Sequence, residues 1–258
     1  MSIACLGEAL IELRSDKHLT ENLELSASIS GLTAKVSMEL ARLGLNVNFF
    51  GAVGNDVFGE IIVKTLSRSR VNVEGVVRKN LRTTILIVLG GNVKIYFRKP
   101  HFNSADTELT LNDICLDKVL SNNALFSSAL SLTENPLKHT VLYLAKYMLK
   151  SMKETFLHVH PTTPYILDFK ELLNDLKHFS HIMFDIDYAE AYGITNPKSL
   201  FNIVYRKNPS VKEVSLIYDN KIVTYSKEQG KEKITPNPYG KTRNTAPVSY
   251  THLTLPTN

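Results

Sequence analysis

The stretch from Gly31 to Gly59, GLTAKVSMELARLGLNVNFFGAVGNDVFG, constrains the fold more than any other part of the chain. Val36, Leu40 and Leu43 recur at helical spacing, Leu43-Gly44 makes a tight turn, and Val47 to Val53 is an apolar run of strand length. Gly54-Asn55-Asp56 then feeds a second helix whose repeating positions are Phe58, Ile61, Ile62, Thr65 and Leu66. Helix, glycine, apolar strand, glycine and helix in that order predict a βα unit, because an apolar strand flanked by helices is buried on both faces. This segment alone does not separate one doubly wound domain from another.

The remainder repeats the alternation. Ile3 to Leu6 reads as a first strand. Leu10 to Leu13 and Leu25 to Ile29 flank a polar excursion, and Ile85 to Leu89 and Val93 to Phe97 flank Gly90-Gly91-Asn92, so each pair predicts a hairpin beside the main sheet. Downstream, Pro136 sits where a first helical residue belongs, and Leu137, Val141, Leu144, Ala145, Met148 and Met152 form an apolar stripe. Phe156 to Val159 predicts a strand, Leu167 to Leu176 a helix and His181 to Ile186 a strand. Val214 to Tyr218 with Ile222 to Tyr225 predicts an antiparallel pair. The expected fold is α/β: a mostly parallel sheet covered on both faces, with a small β lid.

Composition limits the function classes. The chain has 258 residues, 43% of them apolar and 21% charged, an ordinary balance for one large α/β domain. Its formal charge of +5 is scattered, with a mild enrichment from Lys227 to Arg243. No aromatic-interleaved basic stripe accompanies it, so no nucleic-acid partner is expected. Cys5 and Cys115 are too few for a disulfide framework and show no CxxC spacing, which fits a reducing, cytoplasmic setting. Glu8 and Glu12 interrupt the first apolar run, so neither a signal peptide nor a membrane partner is expected.

Several separate blocks then resemble the PfkB, or ribokinase-like, carbohydrate kinases, with fructokinase-like members most similar. The segment from Gly31 to Gly59, with Phe58-Gly59 opening its second helix, is similar to the family's amino-terminal signature. Gly7-Glu8-Ala9-Leu10-Ile11-Glu12 resembles its Gly-Glu-Ala-Leu-Ile-Asp, with Glu12 in place of the acid that holds sugar hydroxyls. Thr83-Thr84 and Tyr96-Phe97-Arg98, followed by Ala105-Asp106, resemble the lid hairpin and the Arg that leans into the sugar site. Ser127-Ser128 through Thr133-Glu134-Asn135-Pro136 resembles a strand-to-helix passage of the fructokinases. Asp187-Tyr188-Ala189-Glu190 is similar to the family's Asn-x-x-Glu, which implies nucleotide-phosphate binding by Asp187 and Glu190 and a Mg²⁺ held by Glu190 through water. The resemblance implies transfer of the ATP γ-phosphoryl group to a hydroxyl of a small-molecule sugar, with ATP and Mg²⁺ as cofactors. It also implies a homodimer paired through the lid. On that reading Glu12, Gly31, Lys35 and Arg98 line the substrate; without it, Glu12 is a surface acid, Arg98 a salt-bridged base, and the two acids a helix's favoured first-turn charges.

Three departures bear on activity. The family's Gly-Gly-x-x-Asn becomes Ser30-Gly31 with Lys35 at the Asn position, a donor that cannot accept. Its Asp-Pro-Asn-x-Arg aligns with His160-Pro161-Thr162-Thr163-Pro164. His158 and His160 invite a metal reading, for which no third ligand lies at a persuasive spacing. Finally, the Gly-Ala-Gly-Asp motif, source of the anion-holding amides and the catalytic base, is absent from the sequence, so no catalytic residue is assigned. Residues 1–245 are expected to form the ribokinase-like domain, with lid pieces near 10–30 and 83–101. Residues 246–258 are expected to be a non-native tail, in which Val248 to Thr257 resembles translated sequencing adapter, so truncation is expected. An inactive relative binding a sugar, nucleotide or protein, and a nucleoside kinase using Phe97 and Phe102, are the rival expectations.

Overall fold

Parallel neighbours cannot be joined by a tight turn, so a chain that alternates strand and helix must cross over a sheet face at each step. The computed structural model describes residues 1–17, 22–90, 93–161, 165 and 167–237, and it follows this rule. Its elements in order are β1 (Ser2–Leu6), β2 (Leu10–Ser15), β3 (Ser26–Ser30), α1 (Leu32–Arg42), β4 (Asn46–Gly54), α2 (Val57–Arg68), β5 (Asn72–Lys79), β6 (Ile85–Leu89) and β7 (Val93–Phe97). They continue with α3 (Leu116–Leu120), β8 (Ala124–Ser128), α4 (Leu137–Lys150), β9 (Glu154–Val159), α5 (Phe169–Asp175), β10 (His181–Asp185), α6 (Ile186–Glu190), α7 (Pro197–Lys207), β11 (Glu213–Ile217), β12 (Lys221–Ser226) and β13 (Lys231–Pro236).

The large sheet runs β13-β12-β11-β10-β9-β8-β1-β4-β5. It is parallel from β5 to β11 and closes with two antiparallel pairings, β11 with β12 and β12 with β13. Successive residues of a strand face opposite sides, so β1 sends Ala4 and Leu6 into one core and Ile3 and Cys5 into the other. The first core holds Val141, Leu144 and Met148 of α4, and the second holds Val36, Leu40, Ile62 and Leu66 of α1 and α2.

The two excursions pair with each other into a second sheet, β3-β2-β6-β7, in which β2 and β6 are parallel. Asp56 joins this lid to the large sheet. Its carboxylate accepts from the amide of Gly59 at 2.9 Å, capping α2, and from the amide and hydroxyl of Thr83 at 2.8 and 2.7 Å.

Three apolar positions differ from expectation. Leu43 follows the last turn of α1, is 51% exposed, and precedes Gly44 at φ 86, where the helix stops. Ile61 is 41% exposed, so the buried stripe of α2 is narrower than its hydrophobicity implies. Met152 lies beyond α4 at φ 56 and is 92% exposed. α7, β5 and β13 were not foreseen. α7 starts with Pro197 after Asn196, whose side chain accepts from Ser199 N at 3.0 Å. Leu144→Ala should therefore lower the unfolding free energy by roughly 2–5 kcal/mol, whereas Met152→Ala should stay within about 0.5 kcal/mol of the parent, both measured by denaturant titration.

Candidate active site

The carboxyl ends of the parallel strands and the inner face of the lid converge on Gly7-Glu8. Gly7 ends β1 at φ 153, and a Cβ there would lie 2.2 Å from Ser131 Oγ and 2.7 Å from Thr33 Oγ1. No larger residue fits this crossing. Glu8 is fully buried, where an acid must find donors. It accepts from the amide and hydroxyl of Thr33, both at 3.0 Å, from Ser128 Oγ at 2.8 and 2.9 Å, and from Ser131 Oγ at 2.5 Å. One carboxylate thus ties the end of β1, the first turn of α1, the end of β8 and the 3₁₀ turn Ala129–Leu132. The first-turn amide of Thr33 also carries the positive end of the helix dipole. Sequence reasoning placed Glu8 in the Gly7 to Glu12 block and took it as a polar interruption, but gave it no site role; the available signal was an acid bracketed by residues of a buried run.

Gly31 caps α1 at φ 92, with Glu8 O 3.0 Å from where its Cβ would be, so glycine is required for the chain to pass this close. In register across the lid, Glu12 lies opposite Leu86 and Leu86 opposite Tyr96; Arg14 lies opposite Val88 and Val88 opposite Lys94. All six share one face. Glu12 is buried, accepts from Ser30 Oγ at 3.1 Å, and is paired by Arg14 through Nε at 2.8 Å and a terminal nitrogen at 2.7 Å. Lys35 is half-buried beside this group. Burial holds its ammonium below the usual lysine range, opposed by the charge of Glu12 and reinforced by Arg14 and Lys94. Burial, with Glu12 the next contributor, likewise pushes the Tyr96 phenol up.

Arg98 is fully buried and its fork is engaged by the protein. Nε donates to Asp106 at 2.7 Å, one terminal nitrogen to Thr133 Oγ1 at 2.7 Å and the other to Leu130 O at 3.1 Å. Asp106 also accepts from Thr84 at 2.5 Å and Ser104 at 2.9 Å. The Tyr165 ring lies 5.3 Å from the guanidinium, and its hydroxyl donates to Arg98 O at 3.2 Å. The guanidinium braces the lid hairpin against the 3₁₀ turn that also holds Glu8.

At the ends of β9 and β10, His158 Nε2 lies 2.8 Å from Asp185 Oδ1, while its buried Nδ1 has no partner among the described residues. The His160 ring lies 5.8 Å from that of His158, and burial, then His158, push its pKa down to about 4. Asp187 and Glu190 on α6 are both exposed. Among the described residues no three His, Cys, Asp or Glu side chains converge to hold a metal, so the His158 and His160 reading gains no third ligand. Two free carboxylates still suit a hydrated cation bridged to phosphates. Thr162 to Pro164 and the segment 246–258 lie outside the described residues.

Glu8→Gln should cost about 1.5–3 kcal/mol of stability, the loss of charge in a set of charge-assisted bonds, and calorimetric melting measures it. Acid titration provides a second check. Burial also pushes His181 down to about 4. Both histidines bind protons more readily when unfolded, so their contribution is complete above about 6.5 and is lost as the pH falls toward 4. The pH slope of stability in that window should flatten in a His160→Gln, His181→Gln double variant.

Comparison with known proteins places this geometry. Over 151 residues, covering 56% of this chain and 47% of its own, the putative sugar kinase PH1459 of Pyrococcus horikoshii is 30% identical. The 5-dehydro-2-deoxygluconokinase of Mesomycoplasma hyopneumoniae is 28% identical over 46% of this chain and 36% of its own. In each case the chain spans less than half the length of the curated relative. A crystal structure of fructokinase with bound ATP from Xylella fastidiosa superposes with a TM-score of 0.78 at 16% identity, covering 92% of this chain and 74% of that one, which establishes the ribokinase-like fold. The model of the pfkB family carbohydrate kinases matches residues 1–185, most of the chain. The chain belongs to the pfkB family of carbohydrate kinases.

Proposed function

We propose that the whole protein is a fructokinase-like sugar kinase of the cytoplasm, transferring the γ-phosphoryl group of ATP to a sugar hydroxyl. The observation that carries this reading is the meeting of the inner lid face with the first turn of α1. Glu12 and Lys35 lie together there, and Gly31 passes close to Glu8, whose carboxylate is bound by Ser128 at the carboxyl end of β8, the end of a parallel sheet at which ligands bind. Glu12 and Lys35 offer a buried acceptor and donor to hydroxyls, and Gly31 lets the backbone approach closely. Arg98 positions the lid, with only its remaining N–H groups free for substrate. Asp187 and Glu190 would hold a Mg²⁺ through water at the nucleotide phosphates, and that ion would neutralise charge on the transferring group. Cys5 and Cys115 are free thiols, and among the described residues no helix is long and apolar enough to cross a membrane.

The Gly-Ala-Gly-Asp motif is missing from this sequence, so the 258-residue chain has neither the family's base nor its anion-holding amides. It should release no ADP above background with hexoses, whereas a longer chain that carries the motif after Thr245 should turn over. Robust turnover by the 258-residue chain, or none by a longer one carrying the motif, overturns the reading.

A homodimer through the lid is supported by the lid's other face, where Ile85 lies opposite Phe97, Ile87 opposite Ile95 and Leu89 opposite Val93. Val93, Ile95 and Phe97 are exposed there, an apolar patch of the kind that marks association. Sedimentation should report a dimer that Ile95→Lys converts to monomer; a parent monomer at micromolar concentration contradicts the pairing.

A further inference from the structure

We infer that the sugar acceptor carries an anionic group, a carboxylate or a phosphate, and that Lys35 is the residue that selects it. The inference rests on the sugar-kinase reading and narrows its substrate class. Around the inner lid face, three cations, Arg14, Lys35 and Lys94, accompany Glu12, while the buried Glu8 carboxylate nearby is occupied by Thr33, Ser128 and Ser131. The Glu12 charge is already paired by two nitrogens of Arg14 on one oxygen, with Ser30 Oγ on the other. Arg14 and Lys94 lie on the same lid face, one register row beyond Glu12 and Tyr96. No acid among the described residues lies within ion-pair distance of the Lys35 ammonium, whereas the partly buried Lys79 and Lys138 pair with Asp113 and Asp175.

A half-buried cation without a counterion forfeits hydration and receives little in return. Burial accordingly holds the Lys35 ammonium below its ordinary range despite the charge of Glu12. A neutral sugar offers this group only hydroxyl oxygens, whereas an anionic one supplies the missing counter-charge and a charge-assisted hydrogen bond. Asparagine at this position would donate and accept with hydroxyls equally well; lysine gives up the acceptor and gains charge. The exchange favours a charged ligand, on the order of 10- to 100-fold in affinity for one such bond.

The test is calorimetric titration of the 258-residue chain with D-fructose, D-gluconate and fructose 6-phosphate, each with and without ATP, for the parent and for Lys35→Asn and Lys35→Arg. One of the two anions should bind at least tenfold more tightly than fructose, and whichever does so identifies the charge as carboxylate or phosphate. Lys35→Asn should abolish that preference, and Lys35→Arg should retain it. Unchanged melting temperatures confirm that the variants are folded. Fructose binding as tightly as both anions, or a preference that survives Lys35→Asn, overturns the inference and leaves the sugar-kinase reading standing. Failure of all three sugars to bind, with the protein folded, overturns both.

Discussion

The buried carboxylate of Glu8 is the interaction on which the site depends. A charged group taken out of water is tolerated only when its lone pairs are filled, and here the donors come from three separate segments, at Thr33, Ser128 and Ser131. Each donor fixes a different wall of the cleft. Thr33 sets the start of α1 and with it Gly31 and Lys35; Ser128 sets the end of β8; Ser131 sets the turn whose Leu130 carbonyl receives Arg98. The glycines on either side follow from the same requirement, because the backbone at Gly7 and Gly31 passes too close to these groups for a side chain.

From this anchor the lid acquires its orientation. Arg98 spans from the end of β7 to the 129–133 turn, and Asp106 gathers Arg98, Thr84 and Ser104 into one buried set. The lid therefore presents Glu12, Arg14, Lys94 and Tyr96 inward from a braced sheet.

Much of the fold was legible because burial on both faces of a parallel sheet leaves a periodic trace. Val36, Leu40, Leu144 and Met148, expected in apolar helical stripes, are all buried. The errors have local causes. Leu43 and Met152 sit just past helix ends, where the periodicity continues on paper but the backbone has turned to φ 86 at Gly44 and φ 56 at Met152. α7 was overlooked although Asn196-Pro197 is a start signal and Leu200, Phe201 and Val204 supply its buried stripe. In the candidate site, Lys35 and Glu12 stand out in the sequence because each substitutes at a recognisable motif position. The donors of Glu8 and the Leu130 and Thr133 contacts of Arg98 do not, because they lie 25 to 123 residues away for Glu8 and 32 to 35 away for Arg98, distances at which single residue types leave no pattern.

The central claim is that ligand sits between the inner lid face and the first turn of α1, over Glu8. Hydrogen–deuterium exchange of the chain, with and without its tightest-binding sugar, tests this most directly. Joint protection of segments 8–14, 30–37 and 94–98 is the predicted result. Protection confined elsewhere, as around Val57, Phe58 and Phe102 on the far side of the lid joint, would contradict it.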